Sequence, residues 1–184
     1  MNELFGFFLE NIVPRNMVIA YFLGVVLAIV ETEGLRTSLV KGTKFALGIF
    51  FAAILGLLIA DILALELEFL IVWVFFLSAA LLSLVLMFFG ELQGDFYGMP
   101  RFFLFLAPVI GIQWILFQGN YDFAQLITGV FANSLGYYLA FVLIATIKEQ
   151  VKISEAESIF KLVPAILIGL GVTAMAVQGF FFLY

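Results

Sequence analysis

Four polar residues interrupt apolar stretches of the sequence and are the candidates for chemistry. They are Arg15, Asn16, Gln113 and Asn133. Within a membrane, an arginine could face an ion pathway or pair with an acid such as Glu10. It could also extend to the membrane surface and anchor its helix there. The amide side chains could ligate an ion, but we expect them to form hydrogen bonds between helices.

Two missing residue types limit the chemistry further. The chain contains no Cys and no His, so it lacks the usual ligands of zinc, iron–sulfur clusters and haem. The apolar stretches hold no paired carboxylates and no serine beside a base, which argues against an intramembrane enzyme. We therefore expect no catalytic residue, no metal site and no cofactor bound by this chain alone, although lipid or a quinone could bind. The net charge of −5 argues against a nucleic-acid partner.

The elements that must position these residues are long apolar segments. The chain is 65% hydrophobic with a mean hydropathy of +1.23, and a membrane span needs about 20 apolar residues. Six such blocks cover residues 4–30, 44–64, 67–89, 101–119, 123–147 and 159–183. The sequence therefore predicts an all-α integral membrane protein in which residues 1–184 form a single transmembrane domain.

The basic residues predict the orientation of these blocks. All but one of them lie in the connections after the first, third and fifth blocks, namely Arg36, Lys41, Lys44, Arg101, Lys148, Lys152 and Lys161. The other connections and both termini carry no Lys or Arg. Because Lys and Arg are retained on the cytoplasmic side, we expect six spans with both termini outside. We read Lys148 as a cation at the inner end of the fifth helix, where it suits the helix dipole.

Six spans divide into halves of opposite orientation, about 1–95 and 96–184, as in the inverted repeats of many transporters. Small residues recur every fourth position in the second and fifth blocks, where they would let helices pack closely. The predicted packing residues are Gly48, Ala52, Gly56, Ala60, Ala132, Gly136 and Ala140.

Prolines predict breaks in the first and fourth helices. Pro14 interrupts the first block and leaves residues 17–30, about 21 Å of helix, which is too short to span alone. Pro108, with Gly111 nearby, predicts a matching break in the fourth block. Broken helices at equivalent places in two inverted halves indicate a site at the interface of the repeats.

Three stretches carry a family resemblance: Asn16–Gly24, Gly136–Glu149 and Pro164–Gly179. Together with the length and orientation, they resemble the small six-helix membrane subunits of the Rnf and Nqr complexes, which couple electron transfer to sodium or proton movement. The resemblance runs nearly end to end. It implies an inverted repeat, a homologous partner subunit of opposite orientation and a two-iron cluster held between the two by cysteines.

This chain departs from the family at the cluster positions. Val26 stands where the first broken helix of the family has a ligand cysteine, and Gly111 occupies the position matched to the second. Of the family's paired asparagines before the first site, only Asn16 remains, preceded by Arg15. We therefore expect a divergent relative that kept the scaffold and lost the cluster.

Two functions remain open. The first is a non-redox membrane subunit of a larger electron-transport or ion-translocating complex in a prokaryotic plasma (inner) membrane, in contact with other membrane subunits and lipid. The second is a small stand-alone transporter or channel with its site at the broken helices. A transporter usually carries several charged residues at depth, and here Arg15 alone is a candidate, so the first function is favoured.

Overall fold

The computed structural model describes residues 2–12, 14–63, 68–119, 121–153 and 159–181. Within these ranges the chain forms eight helices and a two-stranded antiparallel hairpin. The helices are α1 (Asn2–Ile12), α2 (Met17–Tyr21), α3 (Val25–Glu31), α4 (Leu35–Ile62), α5 (Glu68–Phe88), α6 (Phe102–Gln118), α7 (Phe123–Ile153) and α8 (Ile159–Phe181). The strands are β1 (Asp95–Phe96) and β2 (Met99–Pro100). The side chains of Lys152 and Lys161, part of the predicted inner connection, lie outside the described residues.

Among the described residues, three helices are long and apolar enough to cross a membrane: α4, α5 over Phe69–Phe88, and α7 over Phe123–Val151. The helix α6 and the Val163–Gly179 part of α8 are also apolar but shorter. The chain is therefore an integral membrane protein. The span count of six, the inverted repeat and the outer location of the termini stay predictions.

The interruption predicted in the first block is confirmed. The block forms three short helices, α1 to α3, instead of one span. The helix α1 ends before Pro14, which cannot donate a helical hydrogen bond. Between α2 and α3 the backbone turns through left-handed conformations at Phe22, with φ 56°, and Gly24, with φ 79°.

The break predicted in the fourth block is wrong. The helix α6 continues from Phe102 to Gln118 with Pro108 inside it. Proline removes one hydrogen bond, the one to the carbonyl of Leu104, and a transmembrane helix tolerates this loss when neighbouring helices pack around it. Pro108 is buried against Gly24, so tertiary packing holds the helix together through the proline.

The helices α4 and α7 form the centre of the bundle, with α5, α6 and α1 packed around them. The core contains large side chains such as Phe45, Phe105, Tyr137 and Phe141, none of which is exposed. The small residues predicted to pack helices are all buried, namely Gly48, Ala52, Gly56, Ala60, Ala132, Gly136 and Ala140.

Candidate functional site

Asn16 organises the break between α1 and α2. Its side chain is 1% exposed and caps α2, because Oδ1 accepts hydrogen bonds from the amides of Val18 at 2.9 Å and Ile19 at 3.2 Å. Its Nδ2 donates to the carbonyl of Ile12 at 2.9 Å. One amide thus satisfies backbone groups on both sides of the break, as buried backbone within a membrane requires.

Gly136 on α7 makes room for this amide. A Cβ atom at position 136 would lie 2.6 Å from Asn16 Nδ2 and 3.0 Å from the carbonyl oxygen of Ile12. These distances are shorter than ordinary van der Waals contact, so only glycine lets α7 approach the break this closely. Both residues belong to stretches that carry the family resemblance, and the fold brings them into contact.

Asn133, almost one turn before Gly136 on α7, holds α1 by a second amide contact. Its Nδ2 donates to Asn11 Oδ1 at 3.2 Å and to the carbonyl of Gly129 at 2.9 Å, while Asn11 Nδ2 donates to the carbonyl of Phe7. Asn11 and Asn133 are both buried. As the sequence predicted, Asn133 forms a hydrogen bond between helices.

The second break, between α2 and α3, packs against α6 and α7. A Cβ atom on Gly24 would lie 3.0 Å from both Pro108 Cβ and Tyr137 Cε2. Gly24 is therefore required twice, for its left-handed backbone and for the close approach. The Tyr137 hydroxyl is buried and has no hydrogen-bond partner among the described residues.

A buried ionic cluster lies at the C-terminal end of α3, and we missed it in the sequence. Glu31, 3% exposed, pairs with Arg101 at 3.3 Å and with Lys41 at 3.7 Å. Lys41 also bonds Glu33 at 3.1 Å. Glu31 thus ties α3 to α4 and to the start of α6. An acid at the C-terminal end of the broken block, close in sequence to basic residues, was the available signal.

Lys148, on α7, contacts the backbone at the C-terminal end of α3. Its Nζ donates hydrogen bonds to the carbonyls of Ile29, at 2.7 Å, and Thr32. Lys148 is buried, and α7 continues to Ile153. Our interpretation of Lys148 as a cation at the end of its own helix is therefore wrong, because the side chain caps the carbonyl end of α3 instead.

One carboxyl at the edge of this cluster has a shifted pKa. The hydrogen bond from Lys41 lowers the pKa of Glu33 below its ordinary value, and the positive charges of Lys41, Lys148 and Arg101 lower it further. The Glu33 side chain lies in the connection between α3 and α4 and is 67% exposed. Water therefore weakens the effect of these charges.

Gln113 belongs to a separate network among α4, α5 and α6. Its Nε2 donates to the carbonyl of Ala52 at 2.9 Å and to Ser78 Oγ at 2.8 Å, as expected of an interhelical hydrogen bond. Gly56 leaves room for the Gln113 side chain, because a Cβ atom at position 56 would overlap Nε2. The Gln113 Oε1 atom is buried without a partner among the described residues.

Arg15 lies apart from both networks. Its guanidinium is 3.7 Å from the Glu10 carboxylate, and the two side chains are about half exposed, at 54% and 44%. The fold therefore brings Asn16 and Asn133 to the same junction of α1 with α7. Arg15 lies beside Asn16 in the break, but its side chain pairs with Glu10, and Gln113 belongs to the separate network.

The positions matched to the family's cysteines do not fit an iron–sulfur cluster. Val26 is 49% exposed, and a Cβ on Gly111 would overlap the side chain of Leu23. Neither residue offers a ligand atom on its side chain. Among the residues that the structure describes, no three His, Cys, Asp or Glu side chains form a group that could hold a metal ion.

No protein-family model matches the chain, but curated relatives match along almost its whole length. One is the subunit designated E of the Na(+)-translocating NADH-quinone reductase of Neisseria gonorrhoeae (strain NCCP11945), which is 27% identical, covering 98% of this chain and 98% of the relative. The protein of that name from Photorhabdus laumondii is 27% identical, covering 94% and 90%. The subunit designated A of the ion-translocating oxidoreductase complex of Erwinia tasmaniensis is 25% identical, covering 98% and 97%. These matches confirm the resemblance noted in the sequence: the curated homologues of this chain are membrane subunits of the Rnf and Nqr complexes.

Proposed function

We propose that this chain is a non-redox integral membrane subunit of an ion-translocating oxidoreductase complex. The observation that carries the proposal is the full-length similarity to subunits of two such complexes, whose names describe sodium and ion translocation. The packing of the broken α1–α3 segment supports it. Asn16, Gly24 and Gly136, which carry the family resemblance, are the residues that hold both breaks against α6 and α7.

The non-redox part of the proposal rests on ligand chemistry. An iron–sulfur cluster is held by cysteine thiolates, with histidine as the known substitute, and the chain has neither residue. The subunit would then act as scaffold. Its role would be to hold the interrupted helices beside a partner, and electrons would pass through other chains of the complex.

The assembly follows from the same proposal. The chain would have six spans in two inverted halves, with both termini outside, and would pair with a homologous membrane subunit of opposite orientation in a prokaryotic inner membrane. The uneven distribution of basic residues supports this orientation. The ionic cluster of Glu31, Lys41 and Arg101 would then lie at the cytoplasmic face.

The decisive experiment is gentle purification of the chain from its native membranes, with mass spectrometry of every protein that accompanies it. We expect other membrane and redox subunits in a fixed ratio, among them a homologue of this chain. A second tagged membrane protein of similar abundance serves as the control. A chain that purifies alone, or only with itself, would contradict the proposal and favour the stand-alone transporter.

The orientation can be tested separately, because the chain has no cysteine of its own. Single cysteines at Glu3, Glu33, Asp122 and Glu149 should each give one labelling site. A thiol reagent that cannot cross the membrane should label Glu3→Cys and Asp122→Cys from outside in intact cells. It should label Glu33→Cys and Glu149→Cys after the cells are opened. The reverse pattern would refute the predicted topology.

A further inference from the structure

A cavity of about 420 Å³ opens between the two central helices, α4 and α7. Its aromatic and hydroxyl-bearing lining residues are Thr43, Phe50, Phe51, Phe131, Ser134 and Tyr138. They lie on α4 and α7, two of the three described helices that are long and apolar enough to span a membrane. A volume of 300–1,000 Å³, mostly apolar walls and a few polar groups between helices are typical of small-molecule sites.

The walls of this cavity are aromatic. Phe50 packs edge-on against Phe51, with ring centres 5.5 Å apart, and against Phe131, with ring centres 6.0 Å apart. Phe51 and Phe131 are 58% and 51% exposed, so the mouth of the cavity opens to the lipid side of the bundle. Aromatic side chains at these spacings favour a flat ring that packs offset or edge-on against them. A molecule dissolved in the bilayer could enter from the side.

Ser134 supplies an unused hydroxyl in the wall. Its side chain is 4% exposed, and its Oγ has no hydrogen-bond partner among the described residues. Threonine hydroxyls on these two helices donate to the carbonyl one turn back, as Thr43 does to Leu39 and Thr146 to Val142, each at 2.9 Å. The Ser38 hydroxyl on α4 is also buried without a partner among the described residues, but Ser38 does not line the cavity. A buried hydroxyl without a partner is unfavourable, and rotation about χ1 would offer its proton to an acceptor in the cavity. The Tyr138 hydroxyl is a further donor in the lining.

The described residues that line the cavity include no charged side chain. The lining therefore offers no partner to the phosphate of a phospholipid and favours a neutral ligand. A neighbouring groove between α4 and α5 differs in this respect, since Lys44 and Glu91 are among its lining residues.

We propose that the α4–α7 cavity binds a membrane quinone. Its ring would lie among Phe51, Phe131 and Tyr138, a carbonyl oxygen would accept a hydrogen bond from Ser134, and its tail would extend into the lipid. The proposal concerns binding alone and does not depend on the function of the complex, since a stand-alone protein with this fold would carry the same cavity.

The test is photolabelling of the purified full chain, or of the complex that contains it, with an azido-benzoquinone bearing a decyl chain. Peptide mapping should place the label on the segments around Phe51 and Phe131. An excess of unlabelled decyl-benzoquinone should compete with it. Ser134→Ala should weaken the apparent affinity about three- to tenfold, the effect of one hydrogen bond. Ala46→Phe, which fills the cavity, should abolish the labelling.

Ser83→Ala is the matched control, because Ser83 lies on α5 and its buried hydroxyl donates to the carbonyl of Ala80. It should label as the unchanged chain does. If Ala46→Phe fails to fold, the loss of affinity in Ser134→Ala still tests the proposal. The proposal would be overturned if Ser134→Ala, Ala46→Phe and the unlabelled competitor all left the labelling unchanged. A photoreactive phospholipid that labels the same segments and is displaced only by phospholipid would overturn it as well, as would a partner subunit cross-linked to Phe51.

Discussion

Gly136 lies so close to Asn16 that a Cβ atom at position 136 would be 2.6 Å from Asn16 Nδ2. The two residues are 120 positions apart in the sequence, yet each depends on the other. Asn16 satisfies the backbone at the break between α1 and α2, and Gly136 lets α7 cover that amide closely. The contact joins the interrupted segment to the central helix of the bundle.

Gly136→Ala should therefore destabilise the protein. The added methyl group would push against Asn16 and the carbonyl of Ile12, and overpacking of this kind costs about 1–3 kcal/mol. Thermal unfolding in detergent would measure the effect. Gly171→Ala on α8 is the matched control, since nothing lies within 4 Å of a Cβ there. Equal melting temperatures for the two variants would contradict the contact.

A graded series at Asn16 separates its two roles. Asn16→Ser keeps an oxygen that can cap α2 but loses the donor to Ile12, whereas Asn16→Ala loses both. We expect Asn16→Ala to lose about 1–2 kcal/mol from the cap alone, and Asn16→Ser to be intermediate. Denaturant unfolding of the three proteins would give the order. If serine is as stable as asparagine, the bond to Ile12 contributes nothing.

The sequence predicted the first break but not the continuity of α6, and the difference is physical. Pro14 follows α1 closely and precedes a capping residue, so local signals agree on an interruption. Pro108 removes one hydrogen bond, and whether the helix continues depends on packing against Gly24, a residue 84 positions away. The sequence alone did not reveal that contact.

The same limit explains the ionic cluster. Glu31 and Arg101 are 70 residues apart and meet only in the folded bundle. The sequence did identify their charges, which led to a predicted orientation, but it did not pair them. The amides of Asn133 and Gln113 were predictable as hydrogen-bonding groups, because a buried amide within a membrane must find partners; which partners they find depends on the fold.

Gly56→Leu tests the contact between α4 and α6. A Cβ at position 56 would overlap Gln113 Nε2 and lie 2.6 Å from Ser78 Oγ, so a leucine would separate the helices and break both hydrogen bonds of Gln113. We expect aggregation or loss of the folded species on size-exclusion chromatography in detergent. Gly171→Leu should elute normally. A monodisperse Gly56→Leu protein would contradict the close packing.

The lowered pKa of Glu33 predicts a small dependence of stability on pH. A carboxyl whose pKa is lower in the folded state stabilises the fold above its unfolded pKa. This contribution is lost as the pH falls through the folded pKa. Glu33→Gln should thus melt slightly below the unchanged protein at neutral pH, and the difference should vanish in acid. The melting temperatures of both proteins from pH 7 to about pH 3 would show whether the curves converge.

Arg101 and Arg15 should respond differently to the same substitution. Arg101 pairs at 3.3 Å with Glu31, a carboxylate that is 3% exposed, so Arg101→Ala would leave a buried charge with less compensation. Breaking a buried pair costs about 3–5 kcal/mol, and we expect less here because Lys41 remains near Glu31. Arg15 pairs at 3.7 Å with Glu10, and both side chains are about half exposed, so Arg15→Ala should change stability by less than about 1 kcal/mol.

Adding Glu31→Gln to Arg101→Ala should restore part of the loss, because it removes the unpaired charge, whereas adding it to Arg15→Ala should cause a further loss. Unfolding of the four variants in detergent decides the matter: equal effects of the two arginine substitutions would mean that the Glu31 cluster does not hold α3 in place.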